Sequence, residues 1–181
     1  MRYILPLIML MSLLSCKKAL QANNQITKIE LARSGAWSDP GAVISIDSTL
    51  NYEYYGLLDS SGLKQPRKYY TGKVNKGFWD TLNSKFNKIN FKALKGIDSE
   101  TIVDANYFEL VIHWNNGKVR VTRVYTVGKD SVINTIVWLN NSFKNIKLQQ
   151  VKGPFRFETV LQNPPPHPNI KQIKFPPPIK Q

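Results

Sequence analysis

The sequence predicts an α+β fold, in which an antiparallel sheet of about six strands carries two helices packed on one face. Several segments alternate apolar and polar residues with a period of two, which is typical of half-buried strands. Two longer segments repeat apolar residues every three or four positions, which is typical of amphipathic helices. The links between consecutive strands are short, and short links favour antiparallel neighbours. The predicted order is four strands, a helix, two strands and a second helix.

The first four strands are predicted from this alternation and from the turn residues between them. Residues 26–33 form the first strand and residues 42–47 the second, separated by a turn rich in Gly, Ser, Asp and Pro. The third strand places Tyr52 and Tyr54 on one face, and residues 68–74 supply a fourth strand rich in aromatic residues. We expect the face with Tyr52 and Tyr54 to be the core face of the sheet.

The first helix is predicted at residues 75–89. Its apolar residues fall at spacings of four, four and three, while polar side chains occupy the other side. This stripe consists of Phe78, Leu82, Phe86 and Ile89, with Trp79 beside it. We expect the stripe to pack on the core face of the sheet.

A hairpin and a second helix complete the predicted domain. Apolar and polar residues alternate up to Trp114, and Asn116-Gly117 supplies the positive φ angles that a two-residue type I′ turn requires. The second helix is predicted from Asp130, a candidate N-cap, to about residue 146. Residues 155–161 could form one more strand.

The chain is predicted to hold one folded domain with a segment of different character at each end. Residues 1–15 have the pattern of a signal peptide, residues 16–25 that of a polar tether, and residues 26–147 that of the α+β domain. Residues 148–181 form a proline-rich arm, whose proline runs favour polyproline II and cannot enter a sheet interior. The arm is expected either to be free or to lie over the domain surface.

The beginning of the chain predicts export and lipid attachment. Arg2 precedes a short apolar run that ends in Leu14-Ser15-Cys16, and this is the only cysteine of the chain. The layout resembles a bacterial lipobox, in which cleavage precedes the cysteine and the thiol carries diacylglycerol. We therefore expect an envelope protein anchored through Cys16, on the periplasmic leaflet of an outer membrane. A plain secretory signal with another cleavage site is the alternative.

The chain is strongly basic, with 25 Lys and Arg against 12 Asp and Glu and a formal net charge of +13. The lysines stand singly among polar residues, which favours a solvated surface with weak attraction to acidic partners. In an envelope such partners are lipid headgroups, lipopolysaccharide phosphates or anionic polymers. The predicted location argues against nucleic acid as a partner.

Several short motifs point to a known family. Ile29-Glu30-Leu31-Ala32-Arg33 precedes a turn with Pro40, Tyr70-Thr71-Gly72-Lys73-Val74 precedes the first helix, and Asn116-Gly117-Lys118 joins a hairpin. In this arrangement residues 26–146 resemble a family of bacterial envelope domains, the DUF6438 family. That family usually has two cysteines in the turn after the arginine, where this chain has Gly35 and Asp39. The resemblance implies the fold and the envelope location, and it implies no catalytic residue.

Groups that could support catalysis or metal binding are few. The candidate ligands Asp98, Glu100, Asp104, His113 and His167 match no zinc or calcium spacing, so we predict no metal and no other cofactor. A serine hydrolase is disfavoured because the folded region has a single histidine and no Gly-x-Ser-x-Gly motif. Asp104 and Glu109 could form a carboxylate pair for glycoside cleavage. Glu109 is more simply expected to face solvent or a lysine across the hairpin.

Aromatic side chains outside the predicted core form the leading candidate for a functional surface. Trp37 lies in a turn, and Tyr55 and Tyr69 point to the sheet face opposite the core. Exposed aromatic residues among lysines suit carbohydrate stacking or a protein interface. We therefore predict a non-catalytic binding module for an envelope protein or glycan.

Three alternatives stay open. The first is a hydrolase of an envelope polymer that uses the carboxylates of residues 98–109. The second is a structural adaptor that presents the proline-rich arm. In the third, the arm covers the second face of the sheet, and the aromatic residues of that face only pack against the arm.

Overall fold

The computed structural model of the protein describes residues 25–34, 41–58, 66–96, 107–124 and 130–161. Several sequence predictions lie outside these residues: the signal peptide with Cys16, the turn with Trp37, the acidic loop with Asp98, Glu100 and Asp104, and the proline runs with His167.

The described residues form one antiparallel sheet of seven strands in the order β6-β5-β1-β2-β3-β4-β7. The strands are β1 (Ile26–Ser34), β2 (Ala42–Asp47), β3 (Asn51–Gly56), β4 (Lys68–Lys73), β5 (Tyr107–Trp114), β6 (Gly117–Val124) and β7 (Gln149–Val151). The predicted α+β class with an antiparallel sheet is confirmed. The sheet has one strand more than the six predicted, because β7 pairs with the outer edge of β4.

Two helices pack on one face of the sheet. Helix α1 (Lys76–Lys88) begins at Asn75, whose side chain accepts a hydrogen bond from the amide of Phe78. Helix α2 (Ser131–Asn140) begins at the predicted N-cap Asp130, whose side chain accepts from the amide of Val132. The second helix is shorter than predicted, because the chain changes after Asn140 to a 3-10 turn at Ser142–Asn145. The described residues include no helix both long and apolar enough to span a membrane.

The core lies between this helix layer and the face of the sheet that carries Tyr52 and Tyr54, as the alternation predicts. Trp79, Leu82 and Phe86 of α1 are buried in it. The Tyr52 hydroxyl is within 2.8 Å of the Ser142 hydroxyl and so joins the sheet to the turn after α2. Burial raises the pKa of Tyr52 far above its usual value, which keeps this phenol neutral.

The β5–β6 hairpin turns one residue earlier than predicted. Trp114 pairs with Gly117, so the turn residues are Asn115 and Asn116. Left-handed φ angles occur among the described residues at Gly41, Leu50 and Asn90, and not in this turn, so the type I′ prediction is wrong. Gly117 has a different role: a Cβ atom there would lie 2.8 Å from the Trp114 ring. The indole therefore packs directly on the glycine backbone.

The chain after α2 returns to the sheet instead of leaving the domain. β7 forms at Gln149–Val151, and residues 152–161 then cross the sheet face opposite the helices without strand pairing. We call residues 152–161 the strap and the face beneath them the strapped face. Of the two predicted states of the arm, its described part thus takes the one laid over the surface. The extra strand is Gln149–Val151, and residues 155–161 belong to the strap.

Candidate binding surface on the strapped face

The strapped face contains buried polar side chains, which is unusual for a sheet face. Strand pairing places Glu30 opposite Ser45 on one side and Val111 on the other, and it places Glu109 opposite Ala32. Glu30 is 0 % exposed and Glu109 is 2 % exposed. Because a buried carboxylate is costly without partners, each must be satisfied by hydrogen bonds or opposite charge.

The partners of Glu30 come from the strap and from its own strand. Its Oε2 accepts hydrogen bonds from the amides of Glu158, at 2.7 Å, and Thr159, at 3.2 Å. Its Oε1 forms an ion pair with Lys28 Nζ at 2.7 Å. One carboxylate thus holds two consecutive strap amides and a cation.

Glu109 repeats this arrangement on the neighbouring strand. Its Oε2 accepts from the amides of Val160, at 2.6 Å, and Leu161, at 3.0 Å. Its Oε1 accepts from Arg120 Nη1 across the hairpin at 2.9 Å. The prediction that Glu109 faces solvent or a lysine is therefore wrong: it is buried, and its cross-strand partner is an arginine. Together, the two glutamates bind four consecutive amides of the strap.

Glu158 fixes the strap from the opposite direction. Its carboxylate lies 2.6 Å from His113 Nε2 and 3.1 Å from Lys118 Nζ, while its carbonyl accepts from Arg120 Nη2 at 2.8 Å. Burial acts to raise the pKa of Glu158, but the hydrogen bond from Lys118 and the interaction with His113 outweigh it. The pKa of Glu158 is therefore lowered. His113, which the sequence offered as a metal ligand, is engaged by this carboxylate.

The predicted surface residues Tyr55 and Tyr69 lie together on the strapped face. Their rings stack with centroids 4.4 Å apart and 16° between their planes. The guanidinium of Arg67 lies 4.5 Å from the centroid of Tyr55. The strap adds Phe155, edge-on to Tyr69 at 5.4 Å, and Phe157, edge-on to Phe155 at 5.9 Å. We call these five residues the aromatic patch; each is half-buried.

The ring faces inside the patch are occupied by the protein itself. Arg67 and Tyr69 both lie over the ring of Tyr55, within 4.5 Å of its centroid. The backbone of Gly153 lies against Tyr69 so closely that an added Cβ atom would overlap its ring. Burial raises the pKa of Tyr69, and the neighbouring Tyr55 adds to the effect. The half-exposed parts of these side chains are the surface that a partner can contact.

Sequence reasoning missed the role of Glu30 and Glu109. Each stands in a strand that has apolar residues on both faces, as Leu110 and Val111 show next to Glu109. Such a strand is buried on both faces, and that pattern was the available signal that its glutamate needs an internal partner. Among the described residues, no group of three or more His, Cys, Asp or Glu could hold a metal ion.

Comparison of the chain with models of known protein families gives no match, and no curated protein is similar to it at a significant level. The function is therefore inferred from the geometry of the strapped face and from the sequence motifs.

Proposed function

We propose that the protein is a non-catalytic binding module of a bacterial envelope, anchored by lipid on Cys16, which binds a protein partner through the aromatic patch. The observation that carries this proposal is the chemistry of the strapped face. Its buried carboxylates hold the protein's own backbone, while the half-buried aromatic and arginine side chains beside them still offer surface to a partner.

The hydrolase alternative loses support at Glu109. A glycosidase needs two carboxyl groups that flank the bond to be cleaved. Glu109 is 2 % exposed and already accepts three hydrogen bonds, from Val160, Leu161 and Arg120. A substrate could reach it only after the strap had left. Asp104, its predicted partner, lies outside the described residues.

The patch suits a protein better than a glycan. Sugars stack on open aromatic faces, and the ring of Tyr55 already has Arg67 and Tyr69 stacked on it. Protein interfaces use tyrosine and arginine as anchors, because these side chains offer a large contact area together with polar groups. Of the two predicted partner classes, we therefore favour an envelope protein.

The anchoring part of the proposal rests on the lipobox-like motif that ends at Cys16. Two or three acyl chains hold a protein stably at a membrane, whereas a single chain does not. The resemblance to DUF6438 domains, which are envelope domains, agrees with this location. We propose the periplasmic leaflet of the outer membrane as the site of attachment.

A retention experiment tests the proposal. Residues 17–181, which include every described residue, are passed over immobilised peptidoglycan, lipopolysaccharide and membrane-protein fractions at low and high salt. We expect retention on the protein fraction that survives high salt, because salt screens exposed charges and leaves desolvated contacts intact.

Arg67→Ala should reduce that salt-resistant retention at least about fivefold, as expected for loss of an anchor residue. Lys95→Ala is the control, because it removes the same charge from an exposed residue on the helix side. Equal effects of the two changes, or salt-resistant retention on peptidoglycan alone, would contradict the proposed surface.

An adaptor role is the second candidate, and the position of the strap favours it. The strap is held up to Leu161 by Glu109, and the run Pro164-Pro165-Pro166 begins three residues later in the sequence. The domain would thus present a proline-rich ligand from a fixed place. Truncation after residue 162 separates the two roles: it removes binding by an adaptor and leaves binding by the aromatic patch unchanged.

A further inference from the structure

The helix layer is rich in lysine and contains few acidic residues. Residues 74–96 and 130–147, which form the helix layer, contain seven lysines and two aspartates, a surplus of five positive charges. These lysines are Lys76, Lys85, Lys88, Lys92, Lys95, Lys144 and Lys147, and the aspartates are Asp80 and Asp130. All of these lysines except Lys85 are exposed.

Both aspartates have local partners, and the surplus of five already counts their charges. Asp80 pairs with Lys76 at 2.8 Å within α1, and Asp130 caps the first turn of α2. On the other side of the sheet, by contrast, Glu30, Glu109 and Glu158 each have a basic partner. The rest of the described domain also has a surplus of five, with ten Lys and Arg against five Asp and Glu. The helix layer differs in its higher ratio of basic to acidic residues, seven to two.

The helix layer also presents aromatic residues among its lysines. Trp138 of α2 stacks on Phe78 of α1 at 5.2 Å, and both are half-buried. Lys85 Nζ lies 5.1 Å from the centroid of the Trp138 ring. Half-buried tryptophan with nearby lysine is a combination enriched where a protein meets a membrane interface, because the indole is apolar with one polar N–H.

The chain enters the domain beside this same layer. The amide of Ile26 donates to the Asn83 side chain of α1 at 3.0 Å. Residues 17–25 can span at most about 30 Å when fully extended. A lipid on Cys16 would therefore keep α1 within that distance of the bilayer.

We infer that the helix layer is a membrane-facing surface that docks on anionic phospholipid headgroups, so that the strapped face and its aromatic patch point away from the bilayer. The tether argument rests on the proposed lipid anchor, whereas the charge argument does not. Lysines near an anionic bilayer each add attraction within a Debye length, so several lysines on one face suffice to orient an anchored domain.

The test uses an unlipidated protein of residues 17–181 together with lipid vesicles that contain no protein. Binding to phosphatidylcholine vesicles with and without phosphatidylglycerol is measured by co-sedimentation at low salt. The test variant is Lys88→Glu/Lys144→Glu, which reverses two exposed lysines of the helix layer. The matched control is Lys152→Glu/Arg156→Glu, which makes the same charge change on two exposed strap residues.

We expect binding only to the vesicles with phosphatidylglycerol, and we expect the helix-layer variant to bind at least about tenfold more weakly than the strap variant. Circular dichroism and the melting temperature check that both variants fold. Lys88→Gln/Lys144→Gln, with a smaller charge change, should give an intermediate loss. Equal losses in the two glutamate variants, or no binding by the unmodified chain, would overturn the inference.

These outcomes are independent of the aromatic patch. The vesicles hold no protein partner and the probe carries no lipid, so failure here leaves the salt-resistant retention experiment unaffected. Failure of that experiment likewise leaves the vesicle result standing.

Discussion

At the scale of single residues, the protein is distinguished by carboxylates that bind backbone amides. Glu30 and Glu109 lie on adjacent strands, and each holds two successive amides of the strap. Hydrogen bonds to a charged group contribute about 1.5 to 3 kcal/mol each, more than those between neutral groups. These two side chains therefore replace the strand pairing that the strap lacks.

Glu109→Gln is expected to destabilise the protein by about 1 to 3 kcal/mol. A glutamine side chain has one acceptor oxygen and one NH2 donor group. It therefore cannot accept hydrogen bonds both from the strap amides and from Arg120. Thermal unfolding should show a melting temperature several degrees lower than that of the unmodified chain.

Thr159→Val is the control for this change. Thr159 is buried, and its hydroxyl has no hydrogen-bond partner within the described part of the chain. Replacing such a group by an apolar one of similar shape should be close to neutral. A Glu109→Gln variant as stable as the Thr159→Val variant would show that the strap does not depend on the carboxylate.

Glu158 makes the stability of the domain depend on pH. Its pKa is lowered in the folded state, because Lys118 and His113 outweigh the opposing effect of burial. A group with a lowered pKa contributes stability above its unfolded pKa and loses it as the pH falls through the folded value. The contribution of Glu158 should thus be present at neutral pH and disappear in acid, below the usual glutamate pKa of about 4.3.

Melting temperatures measured from about pH 7 to about pH 3 test this expectation. Glu158→Gln should lower the melting temperature at neutral pH and converge with the unmodified chain in acid. Asp47 also has a lowered pKa, because hydrogen bonds from Thr49 and Asn51 outweigh the effect of burial. The stability that Asp47 contributes is therefore lost in acid in both the variant and the unmodified chain. A constant difference between the two proteins at every pH would contradict the assignment to Glu158.

At the scale of elements, the strap and β7 extend the domain beyond the boundary predicted at residue 147. The sequence Gln149–Val151 offers no alternation strong enough to predict a strand, and its pairing depends on the free edge of β4. The hairpin turn shows the same dependence. Its position follows from pairing Trp114 with Gly117, where the ring needs a residue without a side chain, and not from a preference of Asn116-Gly117.

Two truncations compare the strap with the proline-rich tail. A chain that ends at residue 162 keeps every bond to Glu30 and Glu109, so its melting temperature should be unchanged. A chain that ends at Val151 exposes both glutamates together with the apolar Val43 and Val111 of the same face. We expect a lower melting temperature and binding of a hydrophobic dye, and equal stability of the two chains would show that the strap is dispensable.

At the scale of the whole molecule, the two sides of the sheet have different chemistry. The helix side covers the core and presents six exposed lysines, whereas the strapped side combines paired carboxylates with the aromatic patch. The overall charge of +13 predicted attraction to acidic partners without saying where on the protein they bind. Only the fold brings seven lysines and two aspartates together on the helix layer, which is where we propose that such partners bind.

The sequence by itself determined the α+β class, the antiparallel sheet, the N-cap of the second helix and the placement of Tyr55 and Tyr69 on the face opposite the core. These features follow from periodicity and capping, which act between residues close in the chain. Only the tertiary structure decided what covers the second face of the sheet. The carboxylate of Glu30 accepts from the backbone amide of Glu158, which lies 128 positions away in the sequence. No local pattern specifies which distant segment satisfies a buried carboxylate, so the strap emerges only from the complete fold.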